Sequence, residues 1–261
     1  MTNNAGKLKQ RRYFNLPAWE QAPAGVEVAA ADAMDAWKKF SLKMCAETVD
    51  PDGRMAPHRL MIHYRKPPTR VDWGRSRLEC AIAEAHRDQW TACLRSEAVT
   101  DFTATLESVA SAATGTEQVL RDGPVFTSPD TEGVRVVFPR PGTFQTRLTA
   151  LHLHVAEDRS PPIVRAAVAL VALTNCHPFR DGNGRTARIV TNLILNEETP
   201  RDVPLHYLPL YELGNSPPGN LTLYKRSAEV LGEWSALLGF FREMLNAART
   251  LPTGTTQDST A

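Results

Sequence analysis

Prolines divide this chain of 261 residues unevenly, and a long helix can form only where proline is absent. In the long proline-free intervals, apolar residues recur every three or four positions, which is the period of an amphipathic helix. In the interval that begins near residue 78, we expect Leu78, Ile82 and Ala85 to form the apolar face. The pattern predicts helices over residues 26–49, two within 78–113, and one each over 143–157, 163–175, 184–197 and 221–248.

Two short β-prone runs interrupt the helical pattern, at residues 117–121 and 134–138. A stretch rich in Gly, Pro, Ser and Asp separates them, which predicts a β-hairpin with a long loop. Residues 1–24 are polar and broken by prolines, so a loose N-terminal tail is expected. The basic, proline-containing stretch 58–75 has the character of a linker. The expected fold class is therefore mainly α with one small β-hairpin.

The composition is that of an ordinary folded protein, with 42% hydrophobic and 23% charged residues. A net charge of +1 gives no bulk electrostatic reason to expect nucleic acid or an anionic membrane as a partner. The apolar runs are too short for a membrane span, and the N-terminus lacks the hydrophobic region of a secretion signal. The four cysteines form no metal-binding pattern and suit a reducing compartment. We therefore expect a cytoplasmic protein, and delivery into another cell as an effector is left open.

Two other groups of residues have ordinary structural explanations. His152 and His154, two apart on a predicted helix, do not face each other, so a metal pair there is not expected. Trp234, Phe240 and Phe241 are expected to serve helix packing rather than to stack on a base.

One twelve-residue segment, His177 to Arg188, contains a histidine, a carboxylate, two glycines and three arginines in a spacing that suits a binding or catalytic site. Pro178 disfavours the α conformation at His177, so the preceding helix should end there with the imidazole at its terminus. Two glycines then allow a tight turn into a helix whose first N–H groups can bind an anion. Arg185 and Arg188 can bind further phosphates, and Asp181 is a hard carboxylate of the kind that Mg²⁺ takes together with phosphates.

The segment resembles the Fic family, since it matches H-P-F-x-[D/E]-G-N-G-R-x-x-R at every defined position. The resemblance implies a Fic-type helical bundle with a small β-hairpin flap. It also implies a protein adenylyltransferase that moves AMP from ATP to a Ser, Thr or Tyr hydroxyl of a target protein, with release of pyrophosphate. In this family His177 would deprotonate the target hydroxyl. ATP would be the co-substrate.

The same resemblance assigns roles to the residues that follow the histidine. Asp181 would hold Mg²⁺ or Mn²⁺ on the α and β phosphates of the nucleotide. Gly182, Asn183 and Gly184 would form the anion hole, and Arg185 and Arg188 would bind the β and γ phosphates. Phe179 would pin the loop to the core.

Weaker resemblances surround the motif. The predicted hairpin resembles the family's target-binding flap, with Val119, Leu120, Val136, Val137 and Phe138 as candidate contacts. Residues 231–241 resemble the family's closing helix. On this basis the expected organisation is a segment of unknown role at 1–75, a catalytic domain at 76–248 and a polar tail at 249–261.

Many members of the family carry an inhibitory helix, [S/T]-x-x-x-E-[G/N], whose glutamate pairs with the last motif arginine, here Arg188. Residues 128–133 fit this pattern formally but lie in the predicted hairpin loop. Residues 103–108, which include Glu107, are helical but lack the final Gly or Asn. We therefore expect no internal inhibitory helix and a free Arg188, which leaves a separate antitoxin protein or no such control.

Alternatives remain open at this point. Another donor, such as a UMP, phosphate or phosphocholine donor, would keep the motif and change the transferred group. A nucleotide-binding interaction module would need no chemistry, although His177 and Asp181 are both present. The sequence identifies neither the target protein nor the oligomeric state.

Overall fold

Helices dominate the part of the chain that the computed structural model describes, which comprises residues 9–12, 25–48, 74–127, 134–156, 160–215 and 221–250. The helices are α1 (Glu27–Thr48), α2 (Gly74–Arg95), α3 (Val99–Thr114), α4 (Pro141–Ala156), α5 (Pro162–Cys176), α6 (Asn183–Leu195), α7 (Leu210–Asn215), α8 (Leu221–Leu231) and α9 (Trp234–Thr250). The mainly α fold class is thus confirmed, and the predicted helices over 26–49, 78–113, 143–157, 163–175 and 184–197 are all present. The short helix α7 was not predicted.

Helix α5 is the centre of the core. All its residues except Pro162 and Thr174 are buried, because α6 and α4 pack along it and α1, α8 and α9 also touch it. Even Arg165 is buried, and it donates hydrogen bonds to the carbonyls of Val155 (2.8 Å) and Ser160 (3.1 Å). The run of small and branched apolar residues in α5 therefore reflects burial on all sides. The C-terminal end of this rigid helix carries His177.

The buried face of α2 differs from the predicted one. Leu78 is 53% exposed and Ala85 is exposed, whereas Glu79 is 1% exposed. The buried residues, in chain order, are Ser76, Glu79, Ile82, Ala83, Arg87, Trp90 and Cys93. The prediction was wrong for Leu78 and Ala85 and right for Ile82, because this face also buries polar groups that find partners across the core.

The predicted helix over 221–248 is two helices. Gly232 has a φ of +70°, a left-handed conformation that ends α8, and α9 starts two residues later. Trp234, Phe240 and Phe241 are buried, and the rings of Tyr224 and Phe240 stack with centroids 4.5 Å apart. The prediction that these aromatic residues serve helix packing is confirmed. Helix α9 also packs along α1, which joins the N-terminal helix to the bundle.

The β structure is smaller than predicted and differently arranged. Strand β2 (Val134–Val137) pairs in parallel with β1 (Lys9–Arg12), with Lys9 opposite Val134. On its other side, Phe126 forms an antiparallel bridge with Val137, and Thr127 and Phe138 donate backbone hydrogen bonds across the pair. A hairpin therefore exists, but its first limb is at 125–127 and not at 117–121. Residues 9–12 also correct the expectation that the whole of 1–24 is a loose tail.

Residues 117–121 do not form a strand because other groups take their backbone N–H groups. The N–H of Gln118 donates to Ser111 Oγ (2.8 Å), and that of Leu120 donates to Glu107 Oε1 (2.8 Å). The N–H of Arg121 donates to the Pro178 carbonyl (2.9 Å). These contacts attach the segment to α3 and to the loop after α5, so its β propensity is overridden.

Several smaller expectations can be compared with the described residues. His152 is buried and its ring stacks on Phe102 (4.9 Å), as expected for a core histidine. Among the described residues, Cys80, Cys93 and Cys176 form no disulfide. None of the described helices is both long and apolar enough to cross a bilayer. Of the predicted linker at 58–75, residues 58–73 lie outside the described residues and the last two belong to α2. The domain boundaries stay predictions.

Candidate functional site

The loop between α5 and α6 is held in one conformation by its own residues. His177 caps α5 with φ +48° and ψ 56°, a left-handed conformation, and its N–H donates to the Leu173 carbonyl (3.2 Å). The expectation that Pro178 keeps His177 out of the right-handed helical region is confirmed. Phe179 is completely buried, so it anchors the loop to the core as expected.

The Asn183 side chain stabilises this loop by hydrogen bonds to its backbone. Its Oδ1 accepts from the Phe179 N–H (2.9 Å), and its Nδ2 donates to the Phe179 carbonyl (2.9 Å). The side chain is 3% exposed. Both ends of the amide are therefore engaged within the loop, which leaves the backbone N–H as the group that Asn183 can offer to an anion.

Gly182 is required at the start of α6. It has a φ of +79°, and a Cβ atom there would lie 2.7 Å from the Cγ2 methyl of Thr114 on α3. Its carbonyl accepts the first helical hydrogen bond, from the N–H of Thr186 (2.8 Å). The N–H groups of residues 183–185 have no acceptor within the helix, so they form a positively polarised end that suits a phosphate.

His177 is a neutral imidazole at neutral pH. Burial lowers its pKa to about 4; the Thr174 carbonyl and Asp181 act in the opposite direction, and the charges of Arg121 and Lys225 add to the lowering. Because a carbonyl only accepts, the 3.3 Å contact between His177 Nδ1 and the Thr174 oxygen assigns the proton to Nδ1. The ring stacks on Phe138 at 3.7 Å between centroids. The lone pair is then on Nε2, which can accept a proton.

Asp181 is an exposed carboxylate at the mouth of the site. Its Oδ2 pairs with Arg185 Nη2 (3.0 Å), and its Oδ1 accepts from the Gly182 N–H (2.6 Å). The side chain is 72% exposed. Arg185 also donates from Nη1 to the Ala113 carbonyl (2.6 Å), which attaches the arginine to the end of α3.

These residues fit a divalent cation only if the nucleotide supplies the other ligands. No group of three or more His, Cys, Asp or Glu side chains in the described part of the chain could hold a metal ion. Mg²⁺, however, is commonly bound by one or two carboxylates plus substrate phosphates and water. Asp181 therefore fits as the single protein ligand of a cation that a nucleotide brings with it.

Arg188 is not free, which corrects the expectation from sequence. Its Nε donates to Glu79 Oε2 (3.0 Å) and its Nη2 donates to Glu79 Oε1, so the pair is bidentate. The side chains are 12% and 1% exposed. Burial alone would lower the pKa of Arg188, but the hydrogen bonds and charge of Glu79 raise it.

Glu79 is fixed by a second contact. The Tyr207 hydroxyl donates to Glu79 Oε2 (2.9 Å), and burial raises the pKa of that hydroxyl. Two asparagines hold the segment that contains Tyr207: Asn192 of α6 exchanges hydrogen bonds with the backbone of Leu208, and Asn196, directly after α6, with that of His206. Sequence reasoning missed Glu79, although its spacing from the buried Ile82 and Ala83 placed it on the inner face of α2.

Of the two glutamates considered as inhibitory from sequence, at residues 107 and 132, only Glu107 lies in the described part of the chain, and it does not bond Arg188. Glu107 accepts the Leu120 N–H, as described above, and Glu132 lies outside the described residues. An internal glutamate does pair with Arg188, but it comes from α2 and from a sequence that lacks the inhibitory pattern.

The predicted flap contacts fall into two groups. Phe138 lies against the imidazole of His177, and Val136 and Val137 belong to β2, so these three residues are in the hairpin next to the site. Val119 is 59% exposed and Leu120 is partly buried against the core. Both precede the hairpin, so their assignment to the flap strand was wrong.

Comparisons with known proteins agree with the family resemblance. Residues 94–195 match the family model described as Fic/DOC family. A 34-residue segment, 13% of this chain, is 62% identical to the protein adenylyltransferase fic-1 of Caenorhabditis briggsae and of Caenorhabditis elegans. That segment spans only 7% of the length of each of these relatives.

The fold is similar to that of a Fic family protein from Desulfovibrio desulfuricans G20. The TM-score is 0.58 at 16% sequence identity, and the alignment covers 88% of this chain and 75% of that one. At this identity the similarity concerns the fold alone. Residues 94–195 thus match the Fic/DOC family model, and the described structure has the fold of a Fic family protein.

Proposed function

We propose that this protein is a Fic-type transferase that moves AMP from ATP to a Ser, Thr or Tyr hydroxyl of a target protein. The family match and the short identity to a protein adenylyltransferase support a Fic-type transferase. The observation that carries the proposal is the loop between α5 and α6. It combines a neutral imidazole with an unprotonated Nε2, an exposed carboxylate and a helix N-terminus suited to phosphate.

In the proposed reaction, a target hydroxyl oxygen attacks the α-phosphorus of ATP and its proton moves to Nε2 of His177. A bond forms between this oxygen and the α-phosphorus, and the bond to the oxygen that bridges to the β-phosphate breaks. Pyrophosphate leaves. A buried imidazole that is neutral at neutral pH is in the protonation state that a general base requires.

The phosphates would bind at the N-terminus of α6. The N–H groups of residues 183–185 are directed out of the first turn, where they favour negative charge, and the guanidinium groups of Arg185 and Arg188 can add charge-assisted hydrogen bonds. Asp181 would hold Mg²⁺ or Mn²⁺ on the nucleotide, and the cation would supply charge neutralisation of the phosphates. Before Arg188 can contact a phosphate, it must leave Glu79.

The target segment would lie along the hairpin of 125–127 and 134–138. This hairpin adjoins the imidazole, since Phe138 stacks on it. Because β2 is already paired with β1 and with 125–127, an extended target segment would pair with the 125–127 limb or replace β1, and its hydroxyl group would then lie close to His177. A separate antitoxin stays an expectation, but the contact with Arg188 requires no second protein, because Glu79 makes it within the chain.

The test uses the purified full chain with ATP labelled at the α or the γ position, with α-labelled UTP, and with a cell lysate as the source of targets. We expect label on protein from α-labelled ATP, none from γ-labelled ATP, and none with His177→Ala. The same reactions are run with Glu79→Gln, which weakens the contact that holds Arg188. Transfer of γ label or of UMP would contradict AMP transfer. If the wild-type protein and Glu79→Gln both bind nucleotide but neither transfers label, the result would favour a nucleotide-binding interaction module.

A further inference from the structure

A buried arginine outside the motif makes an unusual set of contacts next to the site. Arg121 is 2% exposed, and none of its contacts in the described residues is with a carboxylate. Its guanidinium donates instead to four backbone carbonyls: His177 (from Nε, 2.6 Å), Cys176 (from Nη2, 3.2 Å), Gly123 (from Nη1, 2.7 Å) and Pro139 (from Nη2). Its backbone N–H donates to a fifth, that of Pro178.

Two of these carbonyls are at the C-terminus of α5. The last carbonyls of a helix have no partner within it, and a cation there is favoured by the helix dipole. His177 is also the one residue other than glycine with a positive φ in the described part of the chain. Arg121 therefore compensates the helix end at the residue whose backbone is in a strained conformation.

The other two carbonyls belong to the base of the hairpin. Gly123 precedes its first limb, and Pro139 follows its second limb directly after Phe138. Phe138 stacks on the imidazole of His177, and the Arg121 guanidinium itself lies over the ring of Phe144 at 4.5 Å. One side chain thus joins the backbone of His177 to both limbs of the hairpin.

We propose that Arg121 is a positioning residue, which holds the backbone of His177 and the base of the hairpin in one geometry so that the imidazole and a hairpin-bound target hydroxyl meet. The part of this proposal that concerns nucleotide transfer rests on the proposed function. The planar guanidinium has five donors and reaches carbonyls in three segments, whereas a lysine ammonium is a single point with three donors. Lysine should therefore fail to replace Arg121.

The variants are Arg121→Lys, which keeps the charge, and Arg121→Gln, which removes it. Arg165→Lys is the control, because Arg165 is also buried and bonded to carbonyls but lies at the other end of α5, where it additionally pairs with Glu197 (2.8 Å). We expect both Arg121 variants to lower kcat by about 10- to 100-fold, since displacements of about 1 Å have effects of this size. KM for ATP should stay within about twofold, because none of the groups that Arg121 contacts lies in the phosphate loop at 182–188.

A second measurement needs no transfer of nucleotide. The His177 imidazole is titrated by NMR in the protein without nucleotide. The charged groups that act on it are Arg121, Asp181 and Lys225, and only the first is changed. In Arg121→Gln the pKa should rise from about 4 towards 6.5, because a nearby cation is lost and the ring gains solvent. In Arg121→Lys the ring resonances should move while the pKa rises less.

These outcomes separate the two proposals. If the wild-type chain transfers no nucleotide, the proposed function fails, but the titration still tests the positioning role. A folded Arg121→Gln protein with unchanged His177 resonances and pKa would overturn that role. If Arg121→Gln does not fold, Arg121→Lys decides: wild-type kcat together with wild-type His177 resonances would refute the proposal, and the expected losses with a normal Arg165→Lys control would support it.

Discussion

The contact between Glu79 and Arg188 leads to the sharpest prediction, which concerns Glu79→Gln. The substitution keeps the shape of the side chain and removes its charge. Arg188 is the arginine proposed to bind the γ-phosphate, and both of its hydrogen bonds to Glu79 are shielded from water. We therefore expect Glu79 and ATP to compete for Arg188, and Glu79→Gln to favour ATP.

The size of the effect follows from the hydrogen bonds. A bond to a charged partner contributes about 1.5–3 kcal/mol, and a neutral one about 1 kcal/mol. If two charge-assisted bonds together hold the closed state by about 3 kcal/mol and the substituted amide retains one neutral bond, the difference is about 2 kcal/mol. Because the apparent dissociation constant scales inversely with the fraction of protein in the open state, ATP should bind about 30-fold more tightly.

The stability of the protein should change in the opposite direction. Removing one partner of a buried ion pair typically costs about 3–5 kcal/mol, because the other charge is left without compensation. The amide oxygen introduced by Glu79→Gln can still accept from Arg188 or from the Tyr207 hydroxyl, so we expect a loss nearer 2 kcal/mol in the free energy of unfolding. General damage would lower both stability and affinity, so the opposite signs identify the mechanism.

The assay is calorimetric titration of the full chain with ATP and with AMP, together with urea unfolding. AMP lacks the γ-phosphate, so its affinity should not change. Glu84→Gln is the matched control, since it makes the same change on the same helix at a side chain that bonds the Leu205 N–H and not Arg188. A folded Glu79→Gln protein that binds ATP no more tightly than wild type, or that gains equally for ATP and AMP, would refute the reasoning.

Three further predictions concern pH, metal and backbone. Burial lowers the pKa of both His177 and His206 to about 4. When the pH falls from 7 to 5, only the unfolded chain takes up a proton at these histidines, so the free energy of unfolding should fall by about 2 kcal/mol for each of them. Urea unfolding at both pH values measures this, and equal stability would contradict both shifts; for the same reason kcat/KM should not fall near pH 6.5. Calorimetry of the protein without nucleotide should detect no tight Mg²⁺ binding. With ATP present, an excess of chelator or the substitution Asp181→Asn should suppress transfer. Tight Mg²⁺ binding by the nucleotide-free protein would contradict the single-ligand site. Gly182→Ala should lose about 2–4 kcal/mol through its left-handed backbone and its clash with α3, whereas Gly115→Ala, with similar φ and open space, should lose about 1 kcal/mol; equal losses would exclude the clash.

The helices were predictable because their signal is local. Apolar spacing and the positions of proline gave the extents of α1, α4 and α5 to within a few residues. The hairpin was harder, because a β-prone run becomes a strand only if its backbone finds a strand partner. Residues 117–121 found side-chain and loop partners instead, and β2 found a partner in residues 9–12, far away in the chain. Neither outcome is encoded in the runs themselves.

In the candidate site, too, the local features were predictable from the sequence and the long-range contacts were not. The segment from His177 to Arg188 is contiguous, so its spacing alone predicts that α5 ends at His177 and that glycines turn the chain into α6, whereas the left-handed conformation of His177 was not predicted. Glu79 lies 109 residues before Arg188, and Arg121 lies 56 residues before His177. A sequence pattern treats such charged residues as solvent-exposed, whereas each is buried because a specific partner across the core compensates its charge or its donors. Under the proposed function, the motif thus supplies the atoms that would bind a phosphate. The packing of α2 on α6 determines whether Arg188 is available for it, so two chains with an identical motif can differ in nucleotide affinity by the strength of that one contact.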